Sequence, residues 1–139
     1  NGPINGDDEA RAITLDAGGN VYITGAVFTN QSTYDTDYAT IKYSQAGVML
    51  WAKFFNGAGN DSDIAYALAV DANSNVVVTG YSIGSGSGRD YTTIKYSTAG
   101  VALWTNIFNG SGNSDDYAKA VTVAKNGDVY VTGLFDRQR

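Results

Sequence analysis

Residues 12–25 read AITLDAGGNVYITG, residues 67–80 read ALAVDANSNVVVTG, and residues 120–133 read AVTVAKNGDVYVTG. The three stretches end on Gly25, Gly80 and Gly133, 55 and 53 residues apart. Between them a second element recurs, DYATIKYSQAGVMLW at 37–51 and DYTTIKYSTAGVALW at 90–104. A third closes each unit, FNGAGNDSD at 55–63 and FNGSGNSDD at 108–116. Self-similarity at a fixed period is the signature of a repeat architecture, in which each unit buries its apolar surface against its neighbours.

Each unit divides into strand-like runs of Val, Ile, Thr, Tyr and Ala separated by Gly- and Asn-rich turns. A first strand is expected over about 10–16, 65–71 and 118–124, and a second over about 21–26, 76–81 and 129–134. A third is expected over about 38–43 and 91–96, and a fourth over about 49–55 and 102–108. The AGG, ANS and KNG connections suit hairpin turns. GSGSGR at 84–89 reads as a long flexible loop. Simple alternation along the first strand puts Ala65, Ala67 and Ala69 on one face and Tyr66, Leu68 and Val70 on the other. With both faces largely apolar, the sheet is expected to be sandwiched between neighbouring sheets. Four-stranded antiparallel sheets repeated in this way describe an all-β fold of β-propeller blades.

The composition fits. Of the 14 acidic residues only Glu9 is glutamate, and 17 Gly and 12 Asn supply turn residues. With no His and no Cys, catalytic Ser–His–Asp and Cys–His sets, His-ligated zinc and disulfides are all excluded. A net charge of −5 argues against nucleic acid as partner, and the short apolar runs argue against membrane insertion.

The pattern D-x-A-x-A…D-x-x-x-N-V-Y-V-T-G, then D-Y-A-T-I-K-Y and G-x-x-L-W, is carried by Asp8, Ala10, Ala12, Asp16, 20–25, 37–43, Gly47 and Trp51. In this the chain resembles the bacterial SBBP-type β-propeller repeat proteins over nearly its whole length. The third unit departs from the pattern, with Ala124 where the others have Asp16 and Asp71. The resemblance implies a secreted or cell-surface scaffold of bacteria rather than a reaction. Two complete units and half of a third, about 7–60, 61–113 and 114–139, form a single partial propeller of about two and a half blades, an incomplete ring. The expectation is a fragment of a longer propeller or a self-assembling partial one. Its partners would be the remainder of its own propeller or further copies of itself.

Several residues are candidates for chemistry. Asp8, Asp63 and Asp116 recur at the entrance to the first strand, where they could hold Ca2+ through oxygen ligands or cap turns by accepting backbone amides. Trp51 and Trp104, with Phe55 and Phe108, could stack on sugar or pack between outer strands. Lys42 and Lys95 sit in the third strand, paired with a carboxylate or snorkelling outward. Tyr34, Asp35 and Arg89 break the repeat and are the best candidates for an asymmetric, enzyme-like site. The expected function is a non-catalytic scaffold or adhesion module that binds surface protein. A carbohydrate-binding propeller is the alternative, and a glycosidase-type enzyme, which needs two well-placed acids, comes last. No cofactor is expected.

Overall fold

A computed structural model describes residue 2 and residues 4–135. The described chain is all-β, with ten strands and no helix. The first sheet comprises β1 (Glu9–Leu15), β2 (Val21–Asn30), β3 (Asp35–Tyr43) and β4 (Met49–Phe55). The second comprises β5 (Ile64–Val70), β6 (Val76–Ile83), β7 (Arg89–Tyr96) and β8 (Ala102–Phe108). β9 (Asp116–Val123) and β10 (Val129–Phe135) form a two-stranded third sheet. Each sheet is an antiparallel meander in sequence order, as partial propeller blades require. The first strands lie side by side from sheet to sheet, β1 against β5 and β5 against β9.

The turn between the first two strands shows why its residues recur. Asp16 accepts from the amides of Gly18 and Asn20, both at 2.9 Å, and Asp71 does the same for Asn73 and Asn75, also at 2.9 Å. The next position takes a left-handed backbone, φ 77° at Gly19, 59° at Ser74 and 92° at Gly127. In the third unit Ala124 has no side-chain acceptor. The turn is held instead by Asn126, whose Oδ1 accepts from the Asp128 amide at 3.1 Å.

The closing glycine of each VTG or ITG answers to a bulge. The register slips between Ala10 and Ala12, between Ala65 and Ala67, and opposite Thr132 and Gly133. There the backbones approach so closely that a Cβ on Gly25, Gly80 or Gly133 would lie 1.9 Å from the carbonyl of Glu9, Ile64 or Tyr117.

The bulge corrects the expected faces. An extra residue at Arg11, Tyr66 or Lys119 inverts the alternation beyond it. Ala65 therefore shares a face with Leu68 and Val70, not with Ala67 and Ala69. The loop expected at 84–89 is also shorter than the sequence implies. β6 runs to Ile83 and β7 starts at Arg89, and a bridge between Ser85 and Ser87 ties the residues between them.

The core lies between sheets 1 and 2. Ala65, Val76, Val78, Ile94 and Tyr96 of sheet 2, with Leu68 and Val70, pack on Tyr22, Tyr38, Trp51 and Phe55 of sheet 1. Trp51 sits 6.1 Å from both Tyr22 and Tyr96, ring centre to ring centre, and Phe55 lies 5.8 Å from Tyr38. Burial of aromatic surface of this kind holds the sheets together.

Candidate functional site

The junction between sheets 1 and 2 is bonded as well as packed. The Tyr38 hydroxyl donates to the carbonyl of Thr92 at 3.0 Å, across to β7. Trp51 Nε1 donates to the Thr98 carbonyl at 3.1 Å, and Lys42 Nζ donates to the same carbonyl at 3.1 Å and to Thr98 Oγ1 at 2.8 Å. Lys42 is buried and stands over the Tyr22 ring. Trp51 is thereby placed inside the inter-sheet contact. Trp104, one repeat later, is 39% exposed, and Phe108 beside it is exposed too.

The two lysines differ for a local reason. Lys95 forms an ion pair with Asp71 at 2.8 Å. In the first unit Asp16 instead receives the hydroxyl of Tyr22 at 3.2 Å, and the second unit has Val77 at that position. Burial opposes ionisation of Asp71, but the bonds from Lys95, Asn75 and Asn73 outweigh it and hold its pKa at about 2. Asp16, likewise opposed by burial, is held at about 2 by Asn20, Tyr22 and Gly18.

Asp8, Asp63 and Asp116 each tie down the loop that leads into the first strand. Asp8 accepts from Gly2 at 2.6 Å and from Phe28 at 3.1 Å. Asp63 accepts from the amides of Gly57 and of Ile83, the latter at 2.9 Å, and Asp116 accepts from Gly110 at 2.5 Å. Residue 136, one repeat after Ile83, lies outside the described residues. Asp63 is fully buried, and burial pushes its pKa up to about 6 against its two amide bonds, with Asp37 and Asp61 adding repulsion. Burial also raises Asp90, to which Asp116 and Asp115 add repulsion. No group of three or more acidic residues suited to a metal occurs among the described residues.

Of the residues that break the repeat, Tyr34 packs on Phe28 at 5.8 Å between ring centres, and Asp35 accepts from Thr33. Arg89 pairs with Asp115 at 2.7 Å. Tyr34 and Asp35 lie at the start of β3 in sheet 1, and Arg89 lies at the start of β7 in sheet 2.

The structure also gathers a cluster that alternation along the strands conceals. Lys119 Nζ lies 3.5 Å from the Tyr66 ring centre and Arg11 lies 4.9 Å from it. Arg89 stands over both Tyr81 and Tyr117, at 5.3 and 5.8 Å. Arg11, Tyr66 and Lys119 are the bulge residues of the three first strands, equivalent by repeat spacing. Aligning the units by that spacing identifies them as one recurrent position. Burial lowers the pKa of Lys119, and nearby Arg11 lowers it further.

The outer face of sheet 1 is open. Ile13 and Leu15 are 70% and 60% exposed. Ala10, Ile23, Ile41, Tyr43 and Met49 line a shallow groove of about 810 Å³. All of these but Met49 are the repeat equivalents of residues that sheet 2 packs against sheet 1, Ala65, Leu68, Val70, Val78, Ile94 and Tyr96.

No family model matches the chain. It is 29% identical over 135 residues to an uncharacterized WD repeat-containing protein of Acanthamoeba polyphaga mimivirus, an alignment that covers 85% of this chain. The chain spans 9% of the length of that relative.

Proposed function

We propose that the chain is a non-catalytic β-propeller scaffold that works by binding protein through its sheet faces. The observation that carries this reading is the open face of sheet 1. Its residues match those buried in the sheet 1–sheet 2 junction, so it is already shaped for another sheet of the same kind. Contiguous exposed apolar surface of this sort marks an interaction site. The similarity to a WD repeat-containing protein supports a repeat scaffold rather than an enzyme. The sequence pattern of the SBBP-type repeats supports a bacterial protein acting outside the cell or on its surface.

The partners under this reading are further sheets of the same repeat, from its own propeller or from other copies. Light scattering and binding of a hydrophobic dye test it together. Self-association with dye binding is expected. A monodisperse 14.7 kDa species that binds no dye would contradict it. A carbohydrate-binding role would instead appear as retention on a glycan array that Trp104→Ala abolishes. Trp51 is partly buried in the junction, its ring packed beside Tyr22 and Tyr96 and its Nε1 bonded to Thr98.

A further inference from the structure

We infer that the loops at one end of sheet 1 form a binding site for a neutral sugar, built around Phe28 and Tyr34. The inference goes beyond the scaffold reading and concerns a different surface from the open face of sheet 1.

Tyr34 holds a backbone conformation that rarely suits its side chain. It ends the loop 31–34 between β2 and β3, and its φ is 60°. Among the described residues the other non-glycines with positive φ are Asn60, Ser74 and Asn113, all short and polar. A bulky side chain is strained in this region, which Gly and Asn adopt readily. The loop imposes the angle. The Tyr34 amide donates to the Asn30 carbonyl at 2.9 Å, and the Ser32 amide donates to Asn30 Oδ1 at 2.9 Å. The ring gains little burial in return, since Tyr34 is 76% exposed even with sheet 2 packed on sheet 1. Strain kept at an exposed aromatic residue points to a function for that residue.

Tyr34 is one wall of a hollow of about 400 Å³. Phe28 is beside it, its ring 5.8 Å from that of Tyr34 and tilted by 56°. Gly6 makes room for Phe28, because a Cβ at residue 6 would overlap the ring. Asn5, Asp7 and Gln31 complete the lining. The rings offer apolar faces to the C–H groups of a sugar. The Gln31 carboxamide donates and accepts, and the Asp7 carboxylate accepts, which matches hydroxyls that do both. The lining holds one carboxylate and no cation, so it suits a neutral, hydroxyl-rich ligand rather than an anion. Its size falls within the range of small-molecule pockets, about 300–1,000 Å³.

The hollow is particular to the first unit. The second unit has Ile83 in place of Phe28, Asp61 in place of Gly6, and GSGSG at 84–88 with no aromatic residue. A neighbouring sheet does not account for it either. Asn60 and Asn113, the equivalents of Asn5, are both exposed although a sheet precedes each. A preceding sheet thus leaves that position open.

Saturation-transfer NMR on the intact chain tests the site. The panel is the methyl glycosides of glucose, galactose, mannose and N-acetylglucosamine, with cellobiose, maltose and lactose. Saturable transfer to at least one of these sugars is expected. Tyr34→Ala should weaken it about tenfold or more, and Asp7→Asn and Gln31→Ala several-fold. Trp104→Ala should leave it unchanged. Tyr34→Gly should abolish binding and raise the unfolding midpoint, because glycine takes a positive φ without strain. A lowered midpoint would show that Tyr34 is kept for packing on Phe28, and would overturn the site. So would transfer to none of the panel, transfer that survives Tyr34→Ala, or an equal loss with Trp104→Ala. Self-association and dye binding without sugar binding would leave the scaffold reading standing and remove this site.

Discussion

Among the described residues the same junction occurs twice, once between two four-stranded sheets and once between a four-stranded and a two-stranded sheet. Between sheets 1 and 2, Tyr38, Trp51 and Lys42 all reach acceptors on β7 or the turn after it. Between sheets 2 and 3, Tyr91 is buried with no hydrogen-bond partner among the described residues, Trp104 is partly exposed, and Lys95 settles on its own sheet. The residues are nearly identical, and what differs is whether a third strand stands opposite. For the tyrosine and the tryptophan the contribution is therefore decided by the neighbouring sheet, whereas the lysine follows its own sheet, where Val77 replaces Tyr22.

The largest expected contrast is at the tryptophans. Trp51→Ala removes a ring held between Tyr22 and Tyr96 and should cost about 3 kcal/mol or more. Trp104→Ala, at the equivalent but partly open position, should cost less than half as much. Urea denaturation followed by far-ultraviolet circular dichroism measures both without relying on Trp emission. Equal losses would mean that the first junction is no tighter than the second.

A smaller contrast is expected at the tyrosines. Tyr38→Phe leaves the Thr92 carbonyl without this donor and should cost about 1 kcal/mol. Tyr91→Phe removes an unpaired buried hydroxyl and should be neutral or slightly stabilising. A matching loss in both variants would show that Tyr91 has a partner after all.

The smallest effect is a slope against pH. Asp63 has a folded pKa of about 6, above the ordinary carboxylate value of 3.8. Between about pH 4 and 6 the folded chain keeps a proton that the unfolded chain releases. This group's contribution is thus fully present below about pH 4 and is lost as pH rises through 6, a change on the order of 1 kcal/mol. Asp16 and Asp71, held at about 2, act oppositely. Their contribution is present above about pH 4 and lost as pH falls toward 2. Asp63→Asn should flatten the pH 4–6 segment of the unfolding midpoint and leave the acid limb in place. An unchanged slope between pH 4 and 6 would contradict the assignment.

Much of this was legible in the residues. The period, the four strands of each complete unit and the hairpin turns all follow from recurrence of Asn, Gly and Asp between β-branched runs. The capping of loops by Asp8, Asp63 and Asp116 is one of the two roles those positions allow. What alternation could not show was the bulge, because an inserted residue leaves no mark in a pattern of small and large side chains. Its one trace is the closing glycine, present in all three units where a Cβ would strike a carbonyl. Missing the bulge hid two things. Ala65, not Ala67, sits with the bulky core residues, and Arg11, Tyr66 and Lys119 converge as a cation–aromatic cluster. The different fates of Trp51 and Trp104 were equally hidden, since the two lie in almost the same local sequence.

The central claim is that the sheets stack face to face through a repeated surface, covered on sheet 2 and open on sheet 1. Ala65 and Ala10 test it most directly, as equivalent positions on that surface, one fully buried and one exposed. Ala65→Leu forces added methylenes into a closed contact and should lower stability by about 1–3 kcal/mol. Ala10→Leu meets solvent and should change it by about 0.5 kcal/mol or less. Chemical-denaturation midpoints of the two variants, compared with the parent chain, give the answer. A clear loss for Ala65→Leu alone is the predicted result, and equal midpoints for both variants would contradict the stacked arrangement.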